Sequence, residues 1–510
     1  MAEVLSSGDG PNGLGRGCFK DLRQDAVIGR NKEMTARFGQ QRLPGTAHAG
    51  VHNGNMNRSR GEAGPGLSQD RATLSNLPGS DFMSYINNLC VRADAQNHAL
   101  HSSNVVIGGT KVGEKGDNRA FHREEKLNWN LAQHYYFDHN ATTPVAPEVL
   151  GFLRETMAEV YGNASSIHYY GQAAKRHLEG ARRALASRFH CDPREIVFTS
   201  GGTEADNLAI FGVARRTPGS HVMTSSVEHP AVLNACAQLE REGHGVTILP
   251  VDGAGLVSPD DVRRALRPNT SLITVMHANN ETGVLQPIEA IAAIGRDAGI
   301  TCHSDGVQTA GRVPLNLNAG PDLVSISGHK FGAPKGIGAL YVRKGVELQP
   351  LLYGGHHERD RRAGTENVPG AAALGFAAAN LPDWRAISTL RYRLEQGILA
   401  RVPAARVNGG GAERIPNTSN IRFDGIEGEA MVIALDLRGY AVSSGSACSS
   451  GAVEPSHVLL AMGLSPSQAR SSVRFSLGPG NTEAEVDGLL NAVSSAVEHL
   501  RRISPEVVHG

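Results

Sequence analysis

The sequence has no apolar run approaching the length of a membrane span, and its N-terminus lacks the charged-then-apolar pattern of a secretory signal. These absences argue against a membrane protein and make the cytoplasm the expected location. Net charge is missing as well. The 50 Lys and Arg balance the 50 Asp and Glu, so bulk electrostatics give no reason to expect a nucleic-acid or acidic-membrane partner. The six cysteines, Cys18, Cys90, Cys191, Cys236, Cys302 and Cys448, show no paired metal-type spacing. They read as reduced thiols, which argues against a disulfide frame or a self-contained zinc site.

What is present is length and alternation. A chain of 510 residues has room for about three average domains, and 40% hydrophobic against 20% charged residues permits a large core. Composition changes near residue 134. Before it, Gly, Asn, Arg, His and Ser dominate, and apolar stretches are as short as Val105-Val106-Ile107. Such a segment cannot bury enough apolar surface to offset its ordering entropy. Residues 1–133 are therefore expected to be mostly disordered, an unstructured tail or a start codon placed too early being a better account than a folded regulatory domain.

From Tyr135 onward, short apolar runs alternate with helical periods. Strands are predicted at Ile196 to Thr199, His221 to Ser225, Val246 to Val251 and Leu272 to Met276. Asn207 to Ala214 continues a helix, and Pro287 opens another from Ile288 through Asp297, where its missing N–H costs nothing. This alternation predicts a large, mostly parallel sheet with helices on both faces. After about Asn380 a long amphipathic helix, Trp384 to Leu399, introduces a different order of elements, so a smaller C-terminal α/β domain is expected over residues 381–510, after a large domain over 134–380 whose first residues pack with the small one.

The stretch that organises the rest is Asp322-Leu323-Val324-Ser325-Ile326-Ser327-Gly328-His329-Lys330. It reads as a buried strand that delivers one lysine at its carboxyl end, before a glycine-rich run. Strand ends on the rim of an α/β sheet are where ligands sit, and an amine held there in partly apolar surroundings loses affinity for its proton. Companions sit at other strand ends. Ile196 to Asn207 reads as strand, glycine turn and helix start. It matches neither a Walker loop nor a dinucleotide fingerprint, but Gly201, Gly202, Thr203 and the free N–H groups of the helix favour an anion such as phosphate. Asp305 ends the run from Thr301 and reads either as a helix N-cap or as a carboxylate able to hold a proton on a heterocyclic nitrogen. Asn279 and Asn280 offer amides, and His229 an imidazole at a strand-to-helix turn. An amine, an anion cup, a carboxylate, an amide and an imidazole together match what pyridoxal 5′-phosphate requires.

At these residues the chain resembles the class V aminotransferase group of pyridoxal-phosphate enzymes, and more closely the NifS/IscS-type cysteine desulfurases. The resemblance rests on Asp138 to Pro144, Phe198 to Asn207, Glu228 to Leu233, Asn279 to Gly283, Asp305 to Gln308, Ser327 to Lys330 and Ser443 to Cys448, in order from Tyr135 onward. The stretch Gly354 to Asn367 is closer to the nitrogen-fixation NifS branch, although Asp360 stands where a small residue is expected. The resemblance implies a fold-type I aminotransferase architecture and a homodimer. It implies that Lys330 carries the cofactor as a Schiff base, that Asp305 pairs with the pyridine nitrogen, and that Gln308 and Asn280 assist at the ring. Gly202, Thr203, Ser327, Gly328 and His329 would hold the phosphate, with Thr365 reaching across from a second subunit. His229 would stack on the ring and move protons, and Arg474 would clamp the substrate carboxylate.

Cys448 separates a desulfurase from its relatives. Its neighbours from Ser443 to Gly451 are almost all small and polar, which predicts an exposed loop, whereas Cys236 and Cys302 lie in apolar patterns and read as packed thiols. The reaction implied takes sulfur from L-cysteine onto Cys448 as a persulfide and leaves alanine. The sulfur would then pass to an acceptor or scaffold protein for iron-sulfur cluster assembly, with nitrogenase maturation the expected use. A cluster ligated by Cys448 itself is disfavoured, since no other cysteine has ligand spacing. The alternatives are a selenocysteine lyase, another class V aminotransferase, or a non-catalytic sulfur-transfer scaffold.

Overall fold

The computed structural model describes residues 134–317, 319–444 and 454–503. The segment 1–133 and Cys18, Cys90 and Cys448 lie outside the described residues. A seven-stranded sheet contains β2 (Ile196–Thr199), β3 (His221–Ser225), β4 (Gly245–Leu249), β5 (Thr270–Thr274), β6 (Thr301–Asp305), β7 (Leu323–Ser327) and β8 (Gly338–Val342), in the order β2-β8-β7-β6-β5-β3-β4. Strands β3 to β7 run parallel, and β8 runs antiparallel to both β2 and β7. The reversal has a simple cause. Only residues 328–337 join β7 to β8, too short a link for the crossover that a parallel neighbour needs.

Alternation along these strands covers both faces. In β8, Ala339 and Tyr341 enter one apolar core, with Val324 and Ile326 of β7, while Leu340 and Val342 enter the core on the other side. The first core is closed by helices Tyr169–Phe189 and Val368–Ala379. These approach so closely that a Cβ on Gly375 would lie 2.6 Å from Ala181 Cα, so only glycine fits there. Two predicted strands shift. The run ending at Val251 leaves the ladder at Pro250, which has no N–H to donate, so β4 ends at Leu249. The run from Leu272 pairs earlier, from Thr270 opposite His221, and ends at Thr274, while Val275 and Met276 stay buried beyond it.

A three-stranded antiparallel sheet, in the order β12-β10-β9, is made by β9 (Ala405–Asn408), β10 (Thr418–Phe423) and β12 (Ser472–Ser476). Its core includes Ile387, Leu394 and Ile398 of helix Trp384–Arg401 and Leu489 and Val493 of helix Glu483–Ile503. Phe137 joins this core, and β1 (Tyr135–Tyr136) pairs in parallel with β11 (Tyr440–Ala441). The first described residues are thus tied to the C-terminal elements. Trp384 links the same elements back to the large sheet, its indole N–H donating to Gly311 O at 2.5 Å.

Glu358, Arg359 and Asp360 have φ of 46°, 58° and 65°. Three successive side-chain-bearing residues in the left-handed region are strained, which explains why a small residue is expected at Asp360. The strain is held by a buried anchor. Glu358 accepts from Arg182 Nη1 at 2.8 Å and Nη2 at 2.7 Å, and from the Phe198 N–H of β2 at 3.0 Å. Removing one partner leaves an uncompensated buried charge. Arg182→Met is expected to lower stability by about 3–5 kcal/mol, measured by urea denaturation of the full-length chain, with Arg182→Met/Glu358→Leu recovering part of the loss. Equal stability of Arg182→Met and the wild type would remove the anchor from this account.

Candidate active site

A cavity of about 530 Å³ opens at the carboxyl ends of the parallel strands, where ligands of α/β sheets bind. Its wall brings together Gly202, Thr203, His229, Asn280, Asp305, Gln308, Ser327, His329, Lys330 and Arg474. Two expected residues are elsewhere. Gly328 is buried behind the wall, where a Cβ would lie 3.0 Å from both Ala333 Cβ and Leu374 Cδ1, so close packing requires a glycine there. Thr365 is exposed and lines a separate, smaller cavity with Ser200, Arg362 and Asn367.

Each polar group reaches the cavity for a local reason. Lys330 sits in a single 3-10 turn, Gly328–Lys330, that follows β7. Its Nζ donates to the backbone carbonyls of Asn140 at 2.5 Å and Ala141 at 2.9 Å. Burial, reinforced by the positive charges of Arg312 and Arg474, pulls its pKa from 10.5 down to about 7, against the attraction of Asp305 and Asp138. Asp305 ends β6, and its Oδ1 accepts from Val307 N–H at 2.9 Å. Burial raises its pKa, opposed by that hydrogen bond and by His229 and Lys330. Desolvation therefore outweighs the mutual attraction of amine and carboxyl, and both are driven toward their neutral forms. His229 is the N-cap of helix Pro230–Arg241, with Nδ1 accepting from Ala231 N–H at 3.1 Å. Burial lowers its pKa, so it too is mostly uncharged.

The anion cup follows from a helix without a cap. Helix Gly202–Ala214 begins after Gly201, which provides no side-chain oxygen to its first N–H groups. A Cβ on Gly201 would find only Ser327 Oγ, at 4.0 Å, so the approach to those N–H groups is open. Thr203, Ser327 and His329 share the same wall. Burial, with Lys330 and Lys335 nearby, lowers His329 to about 4, leaving a neutral imidazole whose Nδ1 lies 3.1 Å from Thr142 Oγ1. An open helix N-terminus, a buried carboxyl and a discharged lysine in one cavity fit pyridoxal phosphate by their chemistry.

Arg474 is a buried residue of β12, not a surface arginine. Its Nη2 pairs with Asp138 Oδ1 at 2.7 Å, and its Nη1 donates to Asn280 O at 3.0 Å. Gln308 donates from Nε2 to Asn140 O at 3.1 Å and accepts from Arg312 Nη1 at 2.6 Å. Among the described cysteines, Cys236 and Cys302 are buried free thiols, each pushed up to about 12 chiefly by burial, and so are inert. No group of His, Cys, Asp and Glu able to hold a metal ion occurs among the described residues.

Sequence reasoning missed several residues. Asp138, Asn140 and Asp206 lie in the quoted motifs without an assigned role, yet all three line the cavity. Arg312 was not singled out, although its spacing four residues after Gln308 was a signal. Glu228, next to His229, is fully buried: Ser225 Oγ donates to its Oε1 at 2.5 Å and Met276 N–H at 2.9 Å, while Oε2 has no partner.

The family model described as "Aminotransferase class-V" matches residues 135–489. A cysteine desulfurase of Trichormus azollae is 49% identical over 377 residues, covering 72% of this chain and 94% of that protein. The cysteine desulfurase IscS of Methanosarcina thermophila is 47% identical over 378 residues, covering 72% and 93%. Among solved structures, a NifS-like protein has a TM-score of 0.68 at 34% identity and covers 72% of this chain and 100% of its own. SspA in complex with cysteine has a TM-score of 0.63 at 38% identity, covering 68% and 99%.

Burial raises the Glu228 carboxyl from 4.5 to about 8, with Asp305 adding to the rise and the bonds from Ser225 and Met276 opposing it. Within that window the folded chain keeps a proton that the unfolded chain releases, so stability falls as pH rises from 4.5 toward 8. Glu228→Gln is expected to abolish this contribution. Relative to the variant, the wild type should lose about 1.4 kcal/mol per pH unit across the window. Denaturation curves over that range check the slope, and parallel curves for the two proteins would refute it.

Proposed function

The chain belongs to the class-V aminotransferase family, and from that premise we propose that it is a pyridoxal-phosphate-dependent cysteine desulfurase. It has the α/β architecture of the fold-type I enzymes, with a seven-stranded and a three-stranded sheet. The observation that carries the reading is the convergence of Lys330, Asp305, the open helix N-terminus and Arg474 on one cavity. The cysteine desulfurases at 47–49% identity and the cysteine complex of SspA support the substrate.

When bound, pyridoxal phosphate supplies a carbonyl that captures amines and a ring that accepts the electrons of a deprotonated α-carbon. In the proposed roles, Lys330 would hold the cofactor and, as an uncharged amine, would take the α-proton of the substrate. Its depressed pKa supports this, because a base must be unprotonated to act. Asp305 would pair with the pyridine nitrogen, and Gln308 would donate an N–H to the ring oxygen. Arg474 exchanges Asp138 for the substrate carboxylate, an equally planar partner. His229, mostly neutral beside Lys330 and Asp305, relays protons. The Cys448 thiolate attacks the sulfur of L-cysteine, the carbon–sulfur bond breaks, the sulfur stays on Cys448 as a persulfide, and the β-carbon takes up a proton to give alanine.

The same reading extends to assembly. Thr365 lines no part of its own chain's cavity and is exposed, which suits a residue delivered to the phosphate cup of a second copy in a homodimer. The two sheets support a division into residues 134–380 and 381–510, with the first described strand serving the second part. An acceptor or scaffold protein for iron-sulfur clusters is the proposed destination of the sulfur, with nitrogenase maturation the use favoured by the Gly354 to Asn367 stretch. A reducing cytoplasm suits its free thiols. Among the described residues no helix is long and apolar enough to cross a membrane.

With L-cysteine and a reductant, the full-length protein is expected to release alanine and sulfide in step and to show a visible band that responds to cysteine. Lys330→Ala and Cys448→Ala should each lose sulfide production at least about 100-fold. A responsive band without sulfide would move the function to another aminotransferase or a lyase, and absence of any band would leave the scaffold alternative. Arg474→Met should lower kcat/KM by about 30-fold or more, mainly through KM, since it removes a charge-assisted contact of about 2–3 kcal/mol. An unchanged KM would sink its assignment as the carboxylate clamp.

A further inference from the structure

Arg312 is a buried arginine behind the cavity wall, 4% exposed and bonded to the lining residues Asn140, Gln308 and Lys330, and among the described residues it has no ionic partner. Its Nη1 donates to Asn140 Oδ1 at 2.7 Å and to Gln308 Oε1 at 2.6 Å; its Nη2 donates to His139 O at 3.1 Å and to Lys330 O at 3.0 Å. All four acceptors are neutral. Among the described residues no carboxylate lies within ion-pair distance of it, whereas the buried Arg182 and Arg474 are paired with Glu358 and Asp138. A buried, unpaired cation is costly to keep, so its location matters. It touches Lys330 by two routes, directly at the backbone carbonyl and through Asn140, whose own carbonyl accepts from Lys330 Nζ at 2.5 Å. Asn140 is braced further by bonds to Asn280 O and Thr418 Oγ1, so a change at Arg312 reaches the amine through a stiff connection.

We propose that Arg312 is a positioning residue for the cofactor-bearing lysine: its four bonds fix the Lys330 backbone, Asn140 and Gln308, and its unneutralised charge disfavours the protonated amine. The inference rests on the reading of Lys330 given above. Of the other charged groups facing the amine, Arg474 acts in the same sense but less, and the carboxylates act against it. Arg474, on β12, is paired with Asp138. Asp305 at the end of β6 and Asp138 after β1 both attract the proton. His229 and His329, from the turns after β3 and β7, are held toward their neutral forms by burial. Burial makes the largest contribution to the discharge of Lys330, and Arg312 is the next. Arg312 itself, lowered to about 9 by burial, remains charged at neutral pH.

The test is competitive acetylation of the full-length, cofactor-stripped protein across pH, with the Lys330 peptide quantified by mass spectrometry. Arg312→Gln keeps hydrogen-bonding capacity and loses charge; the labelling midpoint of Lys330 is expected to rise by about 1 pH unit or more, a roughly tenfold loss of labelling at neutral pH. Arg312→Lys keeps the charge and should hold the midpoint near the wild-type value. Gln308→Glu supplies the missing carboxylate while keeping the acceptor for Arg312, at the cost of the Nε2 bond to Asn140 O, and should raise the midpoint even if Arg312→Gln fails to fold. An unshifted midpoint in Arg312→Gln or in Gln308→Glu, or an equal shift in Arg312→Lys and Arg312→Gln, overturns the proposal. Failure of added pyridoxal phosphate to form a visible band in the wild type would instead sink the functional reading, and leaves the labelling result standing.

Discussion

The structure depends on keeping several charges out of water at one place. Lys330, Asp305, Asp206, Arg312 and Arg474 share the rim of the seven-stranded sheet, and burial opposes the charged form of the first three. The arginines cannot give up their charge at neutral pH, so they are held by oxygens: Arg474 by Asp138, Arg312 by four neutral acceptors. The lysine and the carboxyls can, and burial drives them in that direction. A site arranged in this way holds an amine whose grip on its proton is weakened.

That arrangement explains why the C-terminal elements matter to a site built mainly on the large sheet. Arg474 comes from β12, and its backbone exchanges hydrogen bonds with Ser443, immediately before the segment that holds Cys448. Asp138 and Asn140 follow β1, which is itself paired with β11. Arg474 and Asp138 are joined to each other and, through Asn280 O, to the large sheet's side of the cavity. Ser456 Oγ donates to the buried Glu281 at 2.6 Å, and His457 lies 3.0 Å from Glu228 O, fixing the chain on the far side of the same segment. Ser456 and His457 thus contact Glu281 and Glu228, the sequence neighbours of Asn280 and His229.

The strained run Glu358 to Asp360 has a comparable logic away from the rim. Its left-handed backbone is stabilised by a carboxylate that reaches into the core to Arg182 and β2, and it leads to Thr365 on the exposed side. The anchor and the exposed threonine lie on one short stretch, so the position of Thr365 is set by the core of its own chain even if its work is done elsewhere.

Local chemistry along the chain was enough to reveal the α/β alternation, the strand that delivers Lys330, the glycine turn before an uncapped helix, Asp305 at a strand end and the packed character of Cys236 and Cys302. Each of these is carried by residues adjacent in sequence, and short-range pattern records them faithfully. The antiparallel β8, the burial of Arg474, the retreat of Gly328 behind the wall and the separation of Thr365 were decided by tertiary structure. So was the role of Arg312, whose partners Asn140 and Lys330 lie 172 and 18 residues away. An arginine's charge is visible in a sequence, but whether it meets water, a carboxylate or only carbonyls depends on which distant segments the sheet and its covering helices bring against it.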